Sequence, residues 1–467
     1  MPGVGQHEHK KPDDFDFDLI VVGTGAGGGV AAHVAASAGK KVAVIEAEKV
    51  GGECPNFGCV PTKALLQAAE TYEIAKHGGQ LGVQASNVSF NYPAIKAWKD
   101  LAVRHTGTSE GEQAYASEHI TLISGHAHFL SPWTISVGRR RYNAHKFLIA
   151  TGTKQIVPPI PGLAETGFIT YREAIDLIKP PKSLFVIGGG AIGCEFTQLF
   201  NTFGTTVHLA DFAPRLIGQE DPEVGELLEA LFASRGITVH TSARITRIVK
   251  KGSKKIVYFE KDGQTHEASV EQILLSTGKA PNTDLGLDNA GVSWDHSGIT
   301  VNRFMQTSSK HIYAAGDVVG PFRFTHTASY QSRIAAHNMF HTKKKFSADY
   351  KAVPRCVFVD PEIACVGATE QRLREDRFEY QVGAVPISLI GRSNTSNMDT
   401  GFVKVLADRY GVLLGASIVC PRAGEMIHEL TLAIQHGLRA QAIVETIHAF
   451  PTWSEAVRLA CQKIKSR

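Results

Sequence analysis

Residues 18–46 of the chain read DLIVVGTGAGGGVAAHVAASAGKKVAVIE, and this stretch decides the fold. Asp18–Val22 is a short apolar strand, an alanine-rich helix follows a glycine turn, and the strand Lys41–Ile45 closes on Glu46. Such a turn lets the backbone approach a pyrophosphate, and a carboxylate after the second strand can hydrogen-bond a ribose hydroxyl. Because strand, helix, strand and acid frame the turn, the pattern predicts a dinucleotide-binding βαβ unit. The glycines of its G-x-G-x-x-G motif are Gly23, Gly25 and Gly28.

The same unit recurs later in the chain. Ser183–Ile187 and Thr206–Ala210 are predicted strands around a second glycine turn and its helix, and the second strand ends on Asp211. In both units the acid follows the first glycine by 23 residues. One dinucleotide needs only one such fold, so this internal repeat indicates two bound nucleotides. The glycines of the second turn are Gly188, Gly190 and Gly193.

A pair of cysteines, Cys54 and Cys59, lies just after the first unit in the run GGECPNFGCVPTK, residues 51–63. The spacing predicts two sulfurs at the start of a helix, whose N-terminus favours a thiolate over a thiol. Two thiols beside a redox cofactor can cycle between dithiol and disulfide. Two buried structural cysteines are the alternative. A zinc site is disfavoured because no second cysteine or histidine pair follows at ligand spacing, and no metal site is expected.

Composition excludes several classes of protein. The 467 residues are too many for one compact core, and the 43% hydrophobic and 20% charged content is that of an ordinary soluble protein. A net charge of +4 does not indicate nucleic-acid or membrane binding. Seven thinly spread cysteines argue against a disulfide scaffold and favour a reducing compartment, so a cytoplasmic location is expected. Residues 1–16 are polar and are interpreted as a disordered arm rather than a signal peptide.

Further signals mark where the chain passes between the units. Thr151-Gly152 and Thr277-Gly278 each end an apolar strand, and Ile312–Ala315 is a strand followed by Gly316 and Asp317. From about Phe346 the pattern changes to short strands around amphipathic helices, which predicts a separate α+β domain.

Together these landmarks resemble the class I pyridine nucleotide-disulfide oxidoreductases, from about Phe17 to Cys461. The resemblance implies an α/β fold with two Rossmann-like nucleotide-binding domains, for FAD and NAD(P), and a C-terminal α+β domain that forms a homodimer. It implies the following division: 17–153 and 277–345 for FAD, 154–276 for NAD(P), and 346–467 for the interface.

The family mechanism implies roles for individual residues. Hydride passes from the nicotinamide to the flavin, which reduces a Cys54–Cys59 disulfide; Cys59 is the flavin-side sulfur and Cys54 exchanges with substrate. Lys63 matches the family lysine near the flavin, and Glu195 matches its ion-pair partner. The expected cofactor-binding residues are Gly23, Gly25, Gly28, Glu46, Gly52, Lys63, Ala127, Thr151, Gly152, Gly188, Gly190, Gly193, Glu195, Asp211, Gly278, Asp317 and Thr325. The other cysteines are expected to be ordinary buried residues: Cys194, Cys356, Cys365, Cys420 and Cys461.

One departure from the family pattern bears on the substrate. Dihydrolipoamide dehydrogenases and glutathione reductases carry a histidine before the proline of this C-terminal segment, whereas this chain has Phe450. A phenyl ring transfers no proton, so turnover of lipoamide or glutathione disulfide is expected to be impaired. Glu455, which would hold that histidine, is retained as a catalytic candidate, and His448 is a possible substitute base. Mercuric reductases also carry an aromatic residue there, but this chain lacks their C-terminal cysteine pair and has only Cys461.

Three functional hypotheses follow. The first is an FAD-dependent NAD(P)H oxidoreductase acting on a disulfide or, as in mercuric reductase, on a soft metal ion. The second is dihydrolipoamide dehydrogenase, and the third is a redox-sensing or carrier-binding protein with low turnover. Asp211 favours NADH because it repels a 2′-phosphate, although Arg215 lies close in sequence.

Overall fold

The computed structural model describes residues 11–106, 111–341 and 343–465. The first ten residues of the expected disordered arm therefore lie outside the described part of the chain. In chain order the strands are β1 (Phe17–Val22), β2 (Val42–Glu46), β3 (Thr121–Ser124), β4 (Ala127–Ser131), β5 (Thr134–Val137), β6 (Arg140–Ile149), β7 (Thr153–Gln155), β8 (Ser183–Ile187), β9 (Thr206–Ala210), β10 (Thr238–His240), β11 (Arg244–Lys251), β12 (Lys254–Lys261), β13 (Gln264–Val270), β14 (Gln272–Leu275), β15 (Lys279–Pro281), β16 (Trp294–Asp295), β17 (Gly298–Ile299), β18 (Ile312–Ala314), β19 (Arg355–Val357), β20 (Glu362–Gly367), β21 (Tyr380–Pro386), β22 (Phe402–Asp408) and β23 (Leu413–Cys420).

Fifteen α-helices are described, the last three of which follow β23. They are α1 (Ala26–Ser37), α2 (Glu53–Asn56), α3 (Cys59–His77), α4 (Tyr92–His105), α5 (Gly111–Ser117), α6 (Leu163–Thr166), α7 (Tyr171–Ala174), α8 (Ala191–Thr202), α9 (Pro222–Ser234), α10 (Thr325–Phe340), α11 (Glu370–Glu375), α12 (Gly391–Ser396), α13 (Ala423–Gln435), α14 (Ala440–Glu445) and α15 (Glu455–Cys461). Among the described residues, no helix is long and apolar enough to cross a membrane.

The chain divides into two compact units, of which the first comprises residues 1–61, 99–156 and 279–349. Its main sheet has the order β3-β2-β1-β6-β5-β4. Strand β18 also pairs with β6, as a further parallel strand. Strands β3, β2, β1, β6 and β18 are parallel to one another. Two apolar clusters are built from alternating residues of these strands, which is typical of a parallel sheet covered on both faces.

The carboxyl ends of these parallel strands meet at one edge of the sheet. Backbone bonds fix this edge: Gly23 donates to the Ile45 carbonyl (2.8 Å), and Ala150 donates to the Val22 carbonyl (2.8 Å). Ala315, directly after β18, donates to the Ile149 carbonyl (3.0 Å). Ligands of open α/β sheets bind beyond this edge, so it is where a nucleotide site belongs.

The second unit comprises residues 62–98, 157–278 and 350–467 and contains two sheets with different pairing. The parallel sheet β10-β9-β8-β14 carries the second glycine turn, and the antiparallel meander β11-β12-β13 packs on it through a shared apolar cluster. The antiparallel sheet β19-β20-β23-β22-β21 forms the C-terminal region with α13 and α15, whose apolar faces complete one core. The predicted fold class is confirmed: two α/β nucleotide-binding folds and a C-terminal α+β region.

Candidate active site

The first glycine turn is shaped by close backbone approach. Gly23 has φ +98°, and a Cβ there would lie 2.3 Å from the Ala150 carbonyl oxygen. A Cβ at Gly28 would lie 1.9 Å from the Gly23 carbonyl oxygen, so helix α1 packs too closely on β1 for any side chain. Gly25 is the N-cap of α1, and no side chain of the described residues caps that helix. Its first N–H groups therefore suit an anion such as a pyrophosphate.

Glu46 organises the same turn. Its Oε2 accepts hydrogen bonds from the N–H (3.0 Å) and the hydroxyl (2.5 Å) of Thr24, within the glycine motif. The Thr24 hydroxyl oxygen in turn accepts the N–H of Gly51 (3.1 Å), which ties the cysteine run to the turn. Ala127, another expected cofactor residue, opens β4 with its side chain buried in the apolar core, two residues after Gly125, whose N–H donates to the Glu46 carbonyl (2.7 Å).

Asp317 lies at the same edge, after β18. Burial raises the pKa of this carboxyl, and the positive charges of Lys279 and Arg323 oppose that rise. Lys279 also lies 3.6 Å from Glu53, the residue before Cys54. A partly buried carboxylate beside two cations, at the edge where the glycine turn opens, fits the hydroxyl-rich chain of FAD. The residues present therefore suit an FAD held by the glycine turn, Glu46 and Asp317.

The Thr-Gly signals lie where the backbone must turn sharply. Gly152 has φ +65° and Gly278 has φ +92°, a region that favours glycine. The Thr151 hydroxyl donates to the Asn282 carbonyl (2.7 Å), and the Asn282 side-chain amide donates to the Thr151 carbonyl (2.9 Å). Strand β7, which follows the first signal, pairs with β15, which follows the second.

The cysteine run folds as two helices rather than one. Cys59 begins α3, whereas Cys54 lies in the short helix α2, so the prediction that both sulfurs start one helix was wrong. The chain turns between them at Gly58. Gly52, with φ +68°, packs so closely on the first glycine turn that a Cβ there would lie 2.7 Å from the Gly25 Cα. This contact holds the cysteines beside the turn that suits the FAD pyrophosphate.

The thiol of Cys59 affects the protonation of Cys54. The pKa of Cys54 is raised, first because its thiol hydrogen-bonds to Cys59 and then because it is buried. Cys59 begins the 19-residue helix α3, whose N-terminus favours a thiolate, so the geometry suits a negative charge on this sulfur rather than on Cys54. Thr325, the first residue of α10, has its Oγ1 atom 3.8 Å from the Cys59 Sγ atom.

Lys63 and Glu195 form an ion pair. The Lys63 Nζ atom lies 3.0 Å from Oε1 and 2.8 Å from Oε2 of Glu195, whose side chain is 4% exposed. Glu195 Oε1 also accepts the N–H of Phe358 (3.0 Å), and Lys63 Nζ lies 4.6 Å from the centre of the Phe358 ring. The carboxylate is thus bonded on both sides while the lysine keeps one third of its side chain exposed.

The second glycine turn repeats the geometry of the first. Gly188 has φ +111°, and a Cβ at Gly193 would lie 1.9 Å from the Gly188 carbonyl oxygen. Gly190 is the N-cap of α8. The Asp211 carboxylate accepts the N–H groups of Gly189 and Ala213, so it closes the turn in the way that Glu46 closes the first.

A cavity of about 330 Å³ opens at this turn. It is lined by residues that include Gly188, Asp211, Ala243, Arg244, Ser276 and Thr277. Its size and position suit the adenosine end of a nicotinamide dinucleotide. Arg215, considered beside Asp211 in the sequence, donates to the Gln371 side chain (3.2 Å), whereas Arg244 lines the cavity.

The C-terminal segment around Phe450 has an unusual arrangement of polar groups. Phe450 is 75% exposed, and a Cβ at Gly391 would lie 3.0 Å from its ring. The Oε2 atom of Glu455 is buried without a hydrogen-bond partner among the described residues, and its Oε1 lies 4.0 Å from Arg458. His448 has both ring nitrogens occupied, by the Thr446 carbonyl (2.8 Å) and the Glu429 carboxylate (2.9 Å). Because both ring nitrogens are engaged within the chain, His448 has a structural role here.

The remaining cysteines are mostly buried. Cys194, Cys365, Cys420 and Cys461 are buried, and Cys356 is partly buried. Burial raises the pKa of Cys420 and Cys461 to about 12 and that of Cys356 to about 11.

Sequence reasoning missed four residues of these sites. Lys279 and Arg323 flank Asp317, Arg244 lines the second cavity, and Phe358 covers Lys63. Lys279 directly follows the Thr277-Gly278 signal, which marked its position without indicating its role. Nothing in the local sequence singles out Arg244 or Phe358.

The chain was compared with known proteins. Residues 17–332 match the family model described as pyridine nucleotide-disulphide oxidoreductase, and residues 353–461 match the dimerisation domain of that family. Mercuric reductase of Staphylococcus aureus is 34% identical over 426 residues, 90% of this chain and 78% of the relative. Dihydrolipoyl dehydrogenase of Geobacillus stearothermophilus is 34% identical over 441 residues, 93% of each chain.

Solved structures agree with these matches. The HOCl-induced flavoprotein disulfide reductase RclA from Escherichia coli has a TM-score of 0.86 at 28% identity, covering 96% of this chain and 100% of that chain. LpdA from Mycobacterium tuberculosis has a TM-score of 0.85 at 26% identity, with coverage of 96% and 100%. The family consists of oxidoreductases that bind FAD and NAD(P)H. The resemblance inferred from the sequence is confirmed, and the chain belongs to the pyridine nucleotide-disulphide oxidoreductase family.

Proposed function

We propose that this protein is a homodimeric, NADH-dependent flavoenzyme that passes electrons through Cys54 and Cys59 to a disulfide or a soft metal ion. The observation that carries the proposal is the pair of neighbouring thiols, with Cys59 at the N-terminus of α3 and Gly52 packed on the first glycine turn. Bound FAD would supply two-electron chemistry between the nicotinamide and this pair. The proposed division of the chain into FAD, NAD(P) and interface domains, and a cytoplasmic location, stay predictions.

The two glycine turns and their acidic residues would hold the two nucleotides. The turn of Gly23 and Gly28 and the carboxylates of Glu46 and Asp317 would hold FAD, and the Gly188 turn would hold the nicotinamide dinucleotide. Asp211 supports a choice of NADH because its carboxylate lines the second cavity, where a 2′-phosphate would be repelled. Lys63, paired with Glu195, supplies a positive charge one turn into α3, after Cys59.

The choice of electron acceptor rests on Phe450. Disulfide exchange needs a proton acceptor near the attacking thiol, and the phenyl ring supplies none. A soft metal ion held by two thiolates needs less proton transfer, which favours an acceptor of the kind named for the mercuric reductase relative. Cys461 is buried, so the C-terminal delivery of a metal by an exposed thiol pair is not part of the proposal.

Dihydrolipoamide dehydrogenase is the second candidate. Its support is the equal identity, 34%, of a dihydrolipoyl dehydrogenase that aligns over 93% of its length. It would require a base other than His448, since both ring nitrogens of that residue are engaged. A redox-sensing or carrier-binding protein of low turnover is the remaining alternative.

One experiment separates these functions. NADH consumption by the purified holoprotein is measured against mercuric ion, lipoamide, glutathione disulfide and a quinone, beside the variants Cys54→Ser and Cys59→Ser. We expect turnover of a thiol-dependent acceptor that both variants abolish. A long-wavelength absorption, typical of a thiolate beside oxidised flavin, is expected in reduced wild type and is lost in Cys59→Ser. Turnover and spectra that neither substitution alters would contradict the proposal, and the absence of turnover with every acceptor would favour the redox-sensing alternative.

A further inference from the structure

Thr325 places one hydroxyl group beside both sulfurs of the thiol pair. Its Oγ1 atom lies 3.8 Å from the Cys59 Sγ atom, within the range of a hydrogen bond to sulfur. The same hydroxyl also acts on Cys54, since it opposes the rise of the pKa of that thiol. A hydroxyl both donates and accepts, so this one group can serve either sulfur as the charge moves between them.

The charged groups closest in the chain to the pair are already engaged. Glu53, next to Cys54, lies 3.6 Å from Lys279, and Lys63, one turn after Cys59, is paired with Glu195. The groups that set the pKa of Cys54 besides its burial are Cys59 and Thr325. Of the groups that act on the Cys54 thiol, Thr325 comes from outside the cysteine run, and its hydroxyl is a neutral donor.

We propose that Thr325 is the positioning residue of the redox pair: its hydroxyl donates to whichever sulfur carries the charge, while the proton passes between Cys54 and Cys59 across their own hydrogen bond. This inference rests on the proposed function of the pair. It gives Thr325 a role different from the cofactor contact expected from the sequence. By stabilising the attacking thiolate, the hydroxyl offsets part of the loss of the base that Phe450 replaces.

Bonds, protons and electrons are all accounted for when the pair reduces a substrate disulfide. The reduced pair starts as a Cys54 thiol and a Cys59 thiolate. The Cys54 proton passes to Cys59 across the hydrogen bond that joins them, and the Thr325 hydroxyl then donates to the Cys54 sulfur. The Cys54 thiolate attacks the substrate, forming a mixed disulfide and breaking the substrate S–S bond. The first departing thiolate takes the proton from Cys59. The Cys59 thiolate then attacks the Cys54 Sγ atom, which restores the protein disulfide and releases the second thiolate.

The test measures the thiols rather than turnover. The holoprotein is reduced with a phosphine, and the alkylation rates of Cys54 and Cys59 by iodoacetamide are followed against pH, with the sites separated by mass spectrometry. Thr325→Val removes the hydroxyl and keeps the shape, and Thr325→Ser keeps the hydroxyl. Thr327→Val is the matched control, because its hydroxyl lies on the same helix but is buried without a hydrogen-bond partner among the described residues.

We expect Thr325→Val to raise the pH midpoint of the more acidic thiol by about one unit, the effect of losing a hydrogen bond to a charged group. Thr325→Ser and Thr327→Val are expected to follow the wild type. If Thr325→Val loses its flavin, Thr325→Ala takes its place in the comparison. Superimposable profiles for wild type and the variants without the hydroxyl would overturn the inference.

A second measurement distinguishes a failure of the proposed function from a failure of the role proposed for Thr325. The same alkylation assay, applied to wild type reduced by NADH instead of the phosphine, reports whether Cys54 and Cys59 accept electrons from the nucleotide. A pair that NADH leaves unreduced contradicts the proposed function whatever the Thr325 variants do. A pair that NADH reduces, with a midpoint independent of the Thr325 hydroxyl, contradicts the role of Thr325 alone.

Discussion

Lys63 Nζ lies within 3.0 Å of both carboxylate oxygens of Glu195, although 132 residues separate the two in the chain. Helix α3 brings the lysine and helix α8 brings the acid, which is 4% exposed. A buried carboxylate needs such a partner, because an uncompensated charge in the interior is costly. The pair therefore links the helix that begins at Cys59 to the helix that follows the second glycine turn.

Lys63→Met is expected to destabilise the protein by about 3 kcal/mol, because it leaves the buried Glu195 carboxylate without its cation. The matched control is Lys76→Met on the same helix, which breaks an exposed pair with Glu73 at 3.2 Å. That loss is expected to cost less than about 1 kcal/mol. Urea unfolding of both holoprotein variants measures the difference, and equal changes would contradict the assignment of Glu195 as a buried partner.

Asp211→Asn is expected to shift nucleotide preference toward NADPH. Gly189 N–H bonds to Oδ2 and Ala213 N–H to Oδ1, so the amide oxygen can keep one of these two bonds. The substitution removes the negative charge that would face a 2′-phosphate. The ratio of kcat/KM for NADH and NADPH is expected to change by roughly 10- to 100-fold, the effect of about 1–3 kcal/mol of charge repulsion. Arg215→Gln, which breaks the contact with Gln371, serves as the control and is expected to leave the ratio unchanged. An effect confined to Arg215→Gln would place nucleotide selection there instead.

Phe450→His is expected to raise lipoamide turnover at pH 7 by roughly tenfold or more, since a general acid–base contributes about 10²–10⁴ in rate. The Glu455 Oε2 atom, which finds no donor within the described part of the chain, is the group expected to orient the new ring. Steady-state rates are compared with those of Phe450→His/Glu455→Gln, in which the gain is expected to disappear, and with quinone reduction, which both variants leave unchanged. High lipoamide turnover by the wild type, unaffected by the substitution, would restore the dihydrolipoamide dehydrogenase candidate.

Ile447→Glu is expected to weaken the homodimer. Ile447 is 98% exposed and lies within residues 353–461, which match the dimerisation domain. Phe450, three residues further on, is 75% exposed as well, and we expect a second copy to cover this apolar surface. Sedimentation velocity at micromolar concentration is expected to show a dimer for wild type and for Ile178→Glu, an equally drastic change at a 68% exposed site outside that match. A fully active wild-type monomer would contradict this prediction.

The stability of the protein is expected to fall as the pH drops from about 6.5 toward 4. Burial lowers the pKa of His240 to about 4, and nearby positive charges on His208, Lys261 and His266 add to this; burial also lowers the pKa of His208. The unfolded chain, whose histidines titrate near pH 6.5, binds more protons in this window, so acid favours unfolding.

Thermal unfolding at pH 7 and pH 5 tests the histidine prediction. His240→Phe, which keeps the ring contact with Phe259 but cannot be protonated, is expected to show a smaller loss of Tm than wild type. The exposed His296→Gln is expected to behave as wild type. Equal losses in all three proteins would show that other groups govern the acid sensitivity.

Much of the framework could be predicted from the sequence because it depends on short-range patterns. Both glycine turns, the strands Ser183–Ile187 and Thr206–Ala210, and the closing acids Glu46 and Asp211 follow from local periodicity and turn chemistry. The cysteine pair and its proximity to the first turn follow from the same run of residues. The two-helix form of that run did not, because Gly52 and Gly58 are placed by packing against neighbouring backbone.

Only the tertiary structure decided which side chains meet. Thr325 reaches Cys59 across 266 residues. Arg244 rather than Arg215 lines the cavity beside Asp211. His448 is bound by Glu429 rather than left as a base. Such contacts depend on how helices and strands far apart in the chain pack, and no local pattern encodes them. The sequence by itself determined the family and its two nucleotide folds, because backbone geometry imposes glycines and acids at fixed spacing. The partners that tune the thiols and the nucleotide cavity were decided by the packing of distant segments.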